Sequence, residues 1–199
     1  SNMQAIVQAC QSGDCAAEVA AVIASRAETA GLAWAASQGI HTVGLAHTAY
    51  PNRETFDTAL AQTIDQFSPD YVLLAGFMRV LTPGFVARFA GRLINIHPSL
   101  LPSFPGLHTH AQALATGVQS HGCTVHFVTP VLDHGPIIAQ GVVAVHHHDT
   151  PESLASRVLG MEHLIYPQVA CWLAQGRVHL TSDQRVLVDG VTTRLFTPG

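Results

Sequence analysis

The chain has 199 residues, 48% of them hydrophobic and 11% charged, with a formal net charge of −4. That length and composition fit one globular domain burying roughly 70% of its unfolded surface, which excludes disorder and any need for metal or disulfide staples. All nine basic residues are arginine and they do not cluster, which argues against broad nucleic-acid or membrane-surface binding while leaving single guanidinium groups for small anions.

In chain order, Ser1-Asn2-Met3 already reads as a helix start. Residues 19–24 form an apolar run expected to be a buried strand, and a helix is expected over 27–37, closed by Gly39. Residues 40–45 give the next strand. Phe56, Leu60, Ile64 and Phe67 recur at spacings of four, four and three, so 52–67 reads as an amphipathic helix that Pro69 ends. Residues 71–76 are short and apolar enough for a buried, central strand. Residues 93–96 form a further strand running into a Pro-rich loop. Strands are expected at 124–128 and 137–145, the second of them antiparallel. A long helix starts near Pro151, and Pro167 should kink or interrupt it. The tail, 177–196, reads as a hairpin around Ser182-Asp183 that ends loosely.

Strands alternating with helices predict an α/β fold, a Rossmann-like, doubly wound and mostly parallel sheet. Such folds normally open with a strand and a Gly-rich turn before their first helix. Neither stands ahead of Ser1, so the first strand of the expected sheet is missing from this sequence. Cys10, Cys15, Cys123 and Cys171 form no C-x-x-C pair, and there is no secretory signal or apolar run of about 18 residues. Reduced, buried thiols in a cytoplasmic protein are the simplest expectation. The triplet His146-His147-His148 cannot converge on one ion from a regular strand, so a solvated loop or strand end is expected there.

The densest polar constellation is Asn95-Ile96-His97-Pro98-Ser99-Leu100-Leu101-Pro102. Asn95 and His97 share one side of an extended strand, at the strand end where ligands collect in open α/β sheets. An isolated Asn-x-His is more often a satisfied core histidine beside a turn-capping asparagine. Further on, Val131-Leu132-Asp133-His134-Gly135-Pro136 puts a carboxylate in a tight loop after a strand. Beside His97 it would favour the charged imidazolium, whereas alone it is an ordinary turn aspartate. His108, His110, His121 and His126 are expected around the same cleft, His126 as support for the reacting groups.

Five blocks in order carry a specific resemblance. They are Leu74-Ala75-Gly76-Phe77-Met78-Arg79-Val80-Leu81, the Asn95–Pro102 stretch, Pro105-Gly106-Leu107-His108-Thr109-His110, Thr124-Val125-His126-Phe127-Val128 and Glu162-His163-Leu164-Ile165-Tyr166-Pro167. Together they resemble the folate-dependent formyltransferase family, in its small bacterial single-domain form acting on glycinamide ribonucleotide. The resemblance implies a formyltransferase domain over 1–176, with 177–199 as its C-terminal hairpin and tail. It implies 10-formyltetrahydrofolate as cosubstrate, no metal, no nucleic-acid or membrane partner, and a monomer or weak homodimer. Catalytic roles fall to Asn95, His97 and Asp133. Folate contacts fall to Arg53, Met78, Arg79, Val80, Leu81 and Asn95, and to the loop Thr129, Pro130, Val131, Leu132 and Asp133. Ribonucleotide contacts fall to Ser1, Asn2, Leu159, Gly160, Met161 and Glu162, although a tag scar would also leave Ser-Asn before Met3.

Pro130 and His134 depart from the family pattern in the aspartate loop, as do the absent glycines of the phosphate turn. A formyltetrahydrofolate hydrolase is the nearest alternative, and a folate-binding relative without turnover is the alternative from outside enzymology.

Overall fold

The structure is a computed structural model and describes residues 1–13 and 15–198. Helix α1 (Asn2–Gln11) begins at Ser1, whose hydroxyl and the Gln4 side chain form a reciprocal capping box. Strand β1 (Val22–Ala24), helix α2 (Ala30–Ser37, capped by Thr29) and strand β2 (Thr42–Gly44) follow. Asn52 caps α3 (Arg53–Asp65), its side chain accepting from the Thr55 N–H. Then come β3 (Val72–Leu74), a short α4 (Pro83–Arg88), β4 (Leu93–His97) and α5 (Thr109–Thr116). Strands β5 (Ser120–Phe127) and β6 (Ile137–Ala144) precede α6 (Pro151–Ala174), and the chain closes with β7 (Val178–Leu180), β8 (Val186–Val188) and β9 (Leu195–Phe196).

The α/β layering expected from the alternating pattern is present, with helices on both faces of the main sheet. Its strand order is β3-β4-β5-β6-β9, with β3/β4 and β6/β9 parallel and β5 antiparallel to both neighbours. On one face Ile94, Ile96, Val125 and Ile138 pack against α6 through Val158, Ile165 and Val169. On the other, Leu93 joins Phe56, Leu60 and Ile64 of α3 and Phe85 and Phe89 around α4. The strand period of two explains how β4 feeds both cores: Ile94 and Ile96 face one layer, and Leu93, Asn95 and His97 the other. Tyr166, fully buried on α6, donates to the Leu74 carbonyl at 2.9 Å and the Ile94 carbonyl at 3.3 Å, tying that helix to β3 and β4.

Three expectations need correcting. The runs at 19–24 and 71–76 yield strands of only three residues, and none of these residues is fully buried. Strands β1 and β2 pair in a separate two-stranded sheet, and β3 is an edge of the main one, not a central strand. A cavity of about 1280 Å³, bordered by Val22–Ala24, Val72–Leu74, α1 and α3, separates the two sheets, so each strand packs on one flank only. Pro167 does not interrupt α6, which runs unbroken for 24 residues with Pro167 buried inside it. Packing on both sides of the proline offsets its lost hydrogen bond. Finally, the tail does not end loosely. Beyond the β7/β8 hairpin, β9 pairs with β6 in parallel, and Arg194 donates to the Ile137 and Ile138 carbonyls.

Candidate active site

Strand β4 delivers Asn95 and His97 to the carboxyl end of the sheet. The loop after it is fixed by a buried network: Thr124 on β5 donates to the Ser99 carbonyl at 2.7 Å and accepts from the Leu101 N–H at 3.0 Å. Gln140 on β6 donates to both Thr124 Oγ1 and the Leu101 carbonyl. Thr109, the first residue of α5, donates to the Pro98 carbonyl at 2.6 Å. A histidine at the root of so many satisfied polar contacts is held in one place.

His97 and Asp133 meet, as the sequence suggested. Asp133 Oδ2 lies 3.5 Å from His97 Nδ1, and both side chains are more than nine-tenths buried. The same oxygen accepts from the Gly106 N–H at 2.9 Å, which joins the aspartate loop to the loop after β4. On the far side of the ring, His97 Nε2 lies 3.1 Å from the Phe104 carbonyl. A carbonyl can only accept, so Nε2 carries a proton. Both ring nitrogens therefore face acceptors. Three non-glycine residues here, Phe104, His108 and Asp133, adopt left-handed backbone angles with φ of 53°, 57° and 51°. Such strain concentrates at functional sites.

Asn95 is oriented from behind by His126, its register partner on β5, where the strand's register shifts. Burial lowers the His126 pKa, opposed by the Phe127 carbonyl and then by Asp133. Its Nδ1 donates to the Phe127 carbonyl at 2.9 Å, so in the neutral ring Nε2 can only accept. Asn95 Nδ2 lies 3.4 Å from that acceptor and must be its donor, which settles the amide orientation. His126 is thus a support to Asn95. His110 and His121 pack edge to face with ring centroids 5.2 Å apart. Burial, then the neighbouring His110 ring, pushes His121 down to about 4, although the Pro98 carbonyl opposes the shift. His108 stands at the N-cap of α5.

The loops assigned to the folate, and the loop after β4, expose apolar side chains. Met78 is 83% and Val80 56% accessible, and Leu107, Val131 and Leu132 are also exposed. Arg79 turns inward between them, its Cζ 5.0 Å from the centroid of the Phe56 ring. Leu81 packs against the α3/α4 core, and Thr129 Oγ1 donates to the Val131 carbonyl. Pro130 is exposed. Arg53 opens α3 with its side chain nearly half exposed, 3.9 Å from Glu54, and none of its described contacts reaches the His97 cluster.

A second polar group lies at the start of α1. Asn2 Nδ2 donates to Glu162 Oε2 at 2.6 Å across 160 residues of sequence. Burial raises the Glu162 pKa and the Asn2 hydrogen bond lowers it in part. Asn2 Oδ1 is buried without a hydrogen-bond partner. Along α6, Leu159 and Gly160 are exposed, but the Met161 side chain lies in the core against Gly141, so it faces away from any ligand. No disulfide joins the cysteines, and no group of three or more His, Cys, Asp or Glu among the described residues has metal-binding geometry. His147 and His148 are exposed in the loop before α6, as expected, and no described helix is long and apolar enough to cross a membrane.

The sequence matches the formyl transferase family model over residues 1–170. It is 49% identical over 190 residues to phosphoribosylglycinamide formyltransferase of Escherichia coli, covering 96% of this chain and 89% of that protein. It is 44% identical over 186 residues to the human trifunctional purine biosynthetic protein adenosine-3, 94% of this chain but 18% of that protein. The fold superimposes on the Coxiella burnetii phosphoribosylglycinamide formyltransferase with a TM-score of 0.91 at 45% identity, covering 98% of this chain and 93% of that one. A formyltetrahydrofolate deformylase from Burkholderia mallei gives 0.83 at 31%, with 94% of this chain covered and 65% of that one. A family match over most of its length, with polar groups converging on a buried histidine, establishes that this chain belongs to the formyl transferase family.

Proposed function

We propose that this enzyme moves the formyl group of 10-formyltetrahydrofolate to the amine of glycinamide ribonucleotide, a step of purine biosynthesis. Formyl transfer is the reaction of its family, and the relatives it most fully spans are named for the ribonucleotide acceptor. One observation supports the mechanism above all: Asn95, His97 and Asp133 converge, with each ring nitrogen of His97 facing an acceptor.

The neutral amine attacks the formyl carbon, and the carbonyl electron pair moves onto oxygen. Asn95 and the His97 Nε2 proton, now shared with the Phe104 carbonyl, stabilise that oxygen in the tetrahedral intermediate. Asp133 holds the His97 ring from its Nδ1 side and takes up the proton lost by the amine, directly or through one water. Collapse breaks the bond to the folate nitrogen, which receives the proton held by Asp133, relayed through water, as it leaves. The exposed rim of Met78, Val80, Val131 and Leu132, with Arg79, Leu81, Thr129, Pro130 and, for an anionic tail, Arg53, takes the flat apolar folate. Ser1, Asn2 and Glu162, with Leu159, Gly160 and the Met161 backbone, take the ribonucleotide, its phosphate at the α1 N-terminus.

The test follows tetrahydrofolate release by the 199-residue chain with and without glycinamide ribonucleotide. Release that requires the ribonucleotide supports the reading. Release without it replaces the acceptor with water and makes the chain a hydrolase. Absence of release in both arms, by a folded chain, rejects turnover.

A further inference from the structure

The folate rim raises a question about its own rigidity. Residues 75–81 form no helix or strand, yet Met78 and Val80 are held out in water, an arrangement apolar side chains do not choose unaided. The loop is gripped at two points, and both grips come from adjacent residues of α3. Arg79 Cζ lies over the Phe56 ring, and its Nε is buried without a hydrogen-bond partner, so the ring face is its visible anchor. Phe56 is itself fully buried and wedged edge-on by Tyr50, with centroids 5.6 Å apart.

The second grip is Asp57. Only 2% exposed, it accepts the Thr82 N–H at 2.6 Å. No Arg, Lys or His pairs with it among the described ion pairs. A carboxylate buried without a cation is costly, and a fold needing only a spacer on α3 has no use for one. Its position is informative: Thr82 caps α4 and ends the loop, so the hydrogen bond fixes where the Met78–Leu81 stretch rejoins the helical layer.

We propose that Asp57, aided by Phe56, is a positioning residue for the folate: it holds the Met78–Leu81 loop in its binding shape without touching either substrate. This rests on the reading of that loop as part of the folate site. In this arrangement Asp57 acts on folate affinity, because the loop it fixes carries residues assigned to the folate and none assigned to the ribonucleotide.

The experiment measures steady-state constants for both substrates, with thermal melts, in Asp57→Ala, Asp57→Asn and Met78→Ser. Loss of this buried hydrogen bond predicts a roughly tenfold rise in KM for the formylfolate in Asp57→Ala. In the same variant kcat stays within about twofold, and KM for glycinamide ribonucleotide is unchanged. Asp57→Asn keeps an acceptor oxygen and should return to within about threefold of the parent. Equal rises in both KM values, a fall in kcat with an unchanged folate KM, or no rescue by asparagine at equal melting temperature would each overturn the proposal. Met78→Ser separates the two levels of inference. If it leaves folate KM unchanged, the loop is not a folate site; if it raises folate KM while Asp57→Ala does not, only the positioning role fails.

Discussion

The two flanks of the sheet differ sharply. In β4 and β5 nearly every residue is buried, β5 from its second residue to its last, and both strands are hydrogen-bonded to strands on either side. Strands β1, β2 and β3 run for three residues each without one fully buried side chain, and a cavity borders β1 and β3. Two of the three proposed catalytic groups, Asn95 and His97, sit on the dense flank, and Asp133 reaches His97 from the loop after β5. Asn95, His97 and His126 project from strands that cannot shift without disturbing two cores, as a preorganised site requires. The surfaces offered to ligands, at residues 76–81 and 129–133, are loops tied down from outside the sheet, by Asp57 at the Thr82 N–H and by the Gly106 N–H at Asp133.

Several experiments would break or sharpen that contrast. The largest effect is expected on turnover. His97→Ala should lower kcat about a thousandfold with folate affinity nearly intact, and Asp133→Asn about a hundredfold, read by single-turnover rates and equilibrium folate binding. Binding lost in proportion to rate would mean that these residues hold substrate instead of reacting with it. Next, Ile94→Ala on the dense flank should cost about 3–4 kcal/mol in urea unfolding, and Ile23→Ala on the open flank only about 1 kcal/mol. Equal losses would show that the two flanks are equally packed in solution.

The smallest effect concerns acid. His121, held near 4 in the fold, takes up a proton more readily when unfolded, where its value is near 6.5. The unfolded state then binds more protons, so stability falls as pH drops from about 6.5 towards 4, and His110 and His126, also lowered, act in the same direction. Melting temperatures from pH 7.5 to 4.5 should fall less steeply in His121→Gln than in the parent; parallel slopes would remove His121 from the acid response.

Much of this could be read from the residues in order. Apolar runs located the strands, and the stripe of Phe56, Leu60 and Ile64 located α3, because burial imposes the period that the eye detects. The pairing of His97 with Asp133 was suggested by two loops at strand ends and by the resemblance. Short elements left no such signal: α4, with six residues, and α5, with eight, are too brief for periodicity. Contacts between distant segments were equally silent. Nothing local to Leu195 announces a partner in Gln140, and nothing local to Gly106 announces that its N–H would secure Asp133. The extent of the β1 and β3 strands was overestimated because an apolar run reports what a segment can bury, whereas its pairing depends on what lies beside it.

The left-handed backbone at Asp133 also limits how this enzyme can vary. With φ at 51°, that position admits glycine, asparagine or aspartate with little strain and resists most other side chains. Asparagine and glycine are each a single base change from aspartate in the genetic code, and neither can accept a proton from the amine. Of the single-base changes open to this codon, the two that the backbone tolerates best therefore lose the carboxylate. Glutamate, the other carboxylate, meets a backbone that disfavours it and a reach one methylene too long. If Asp133 acts as proposed, drift at this residue can cut turnover about a hundredfold in one step but offers no gradual route to retuning it.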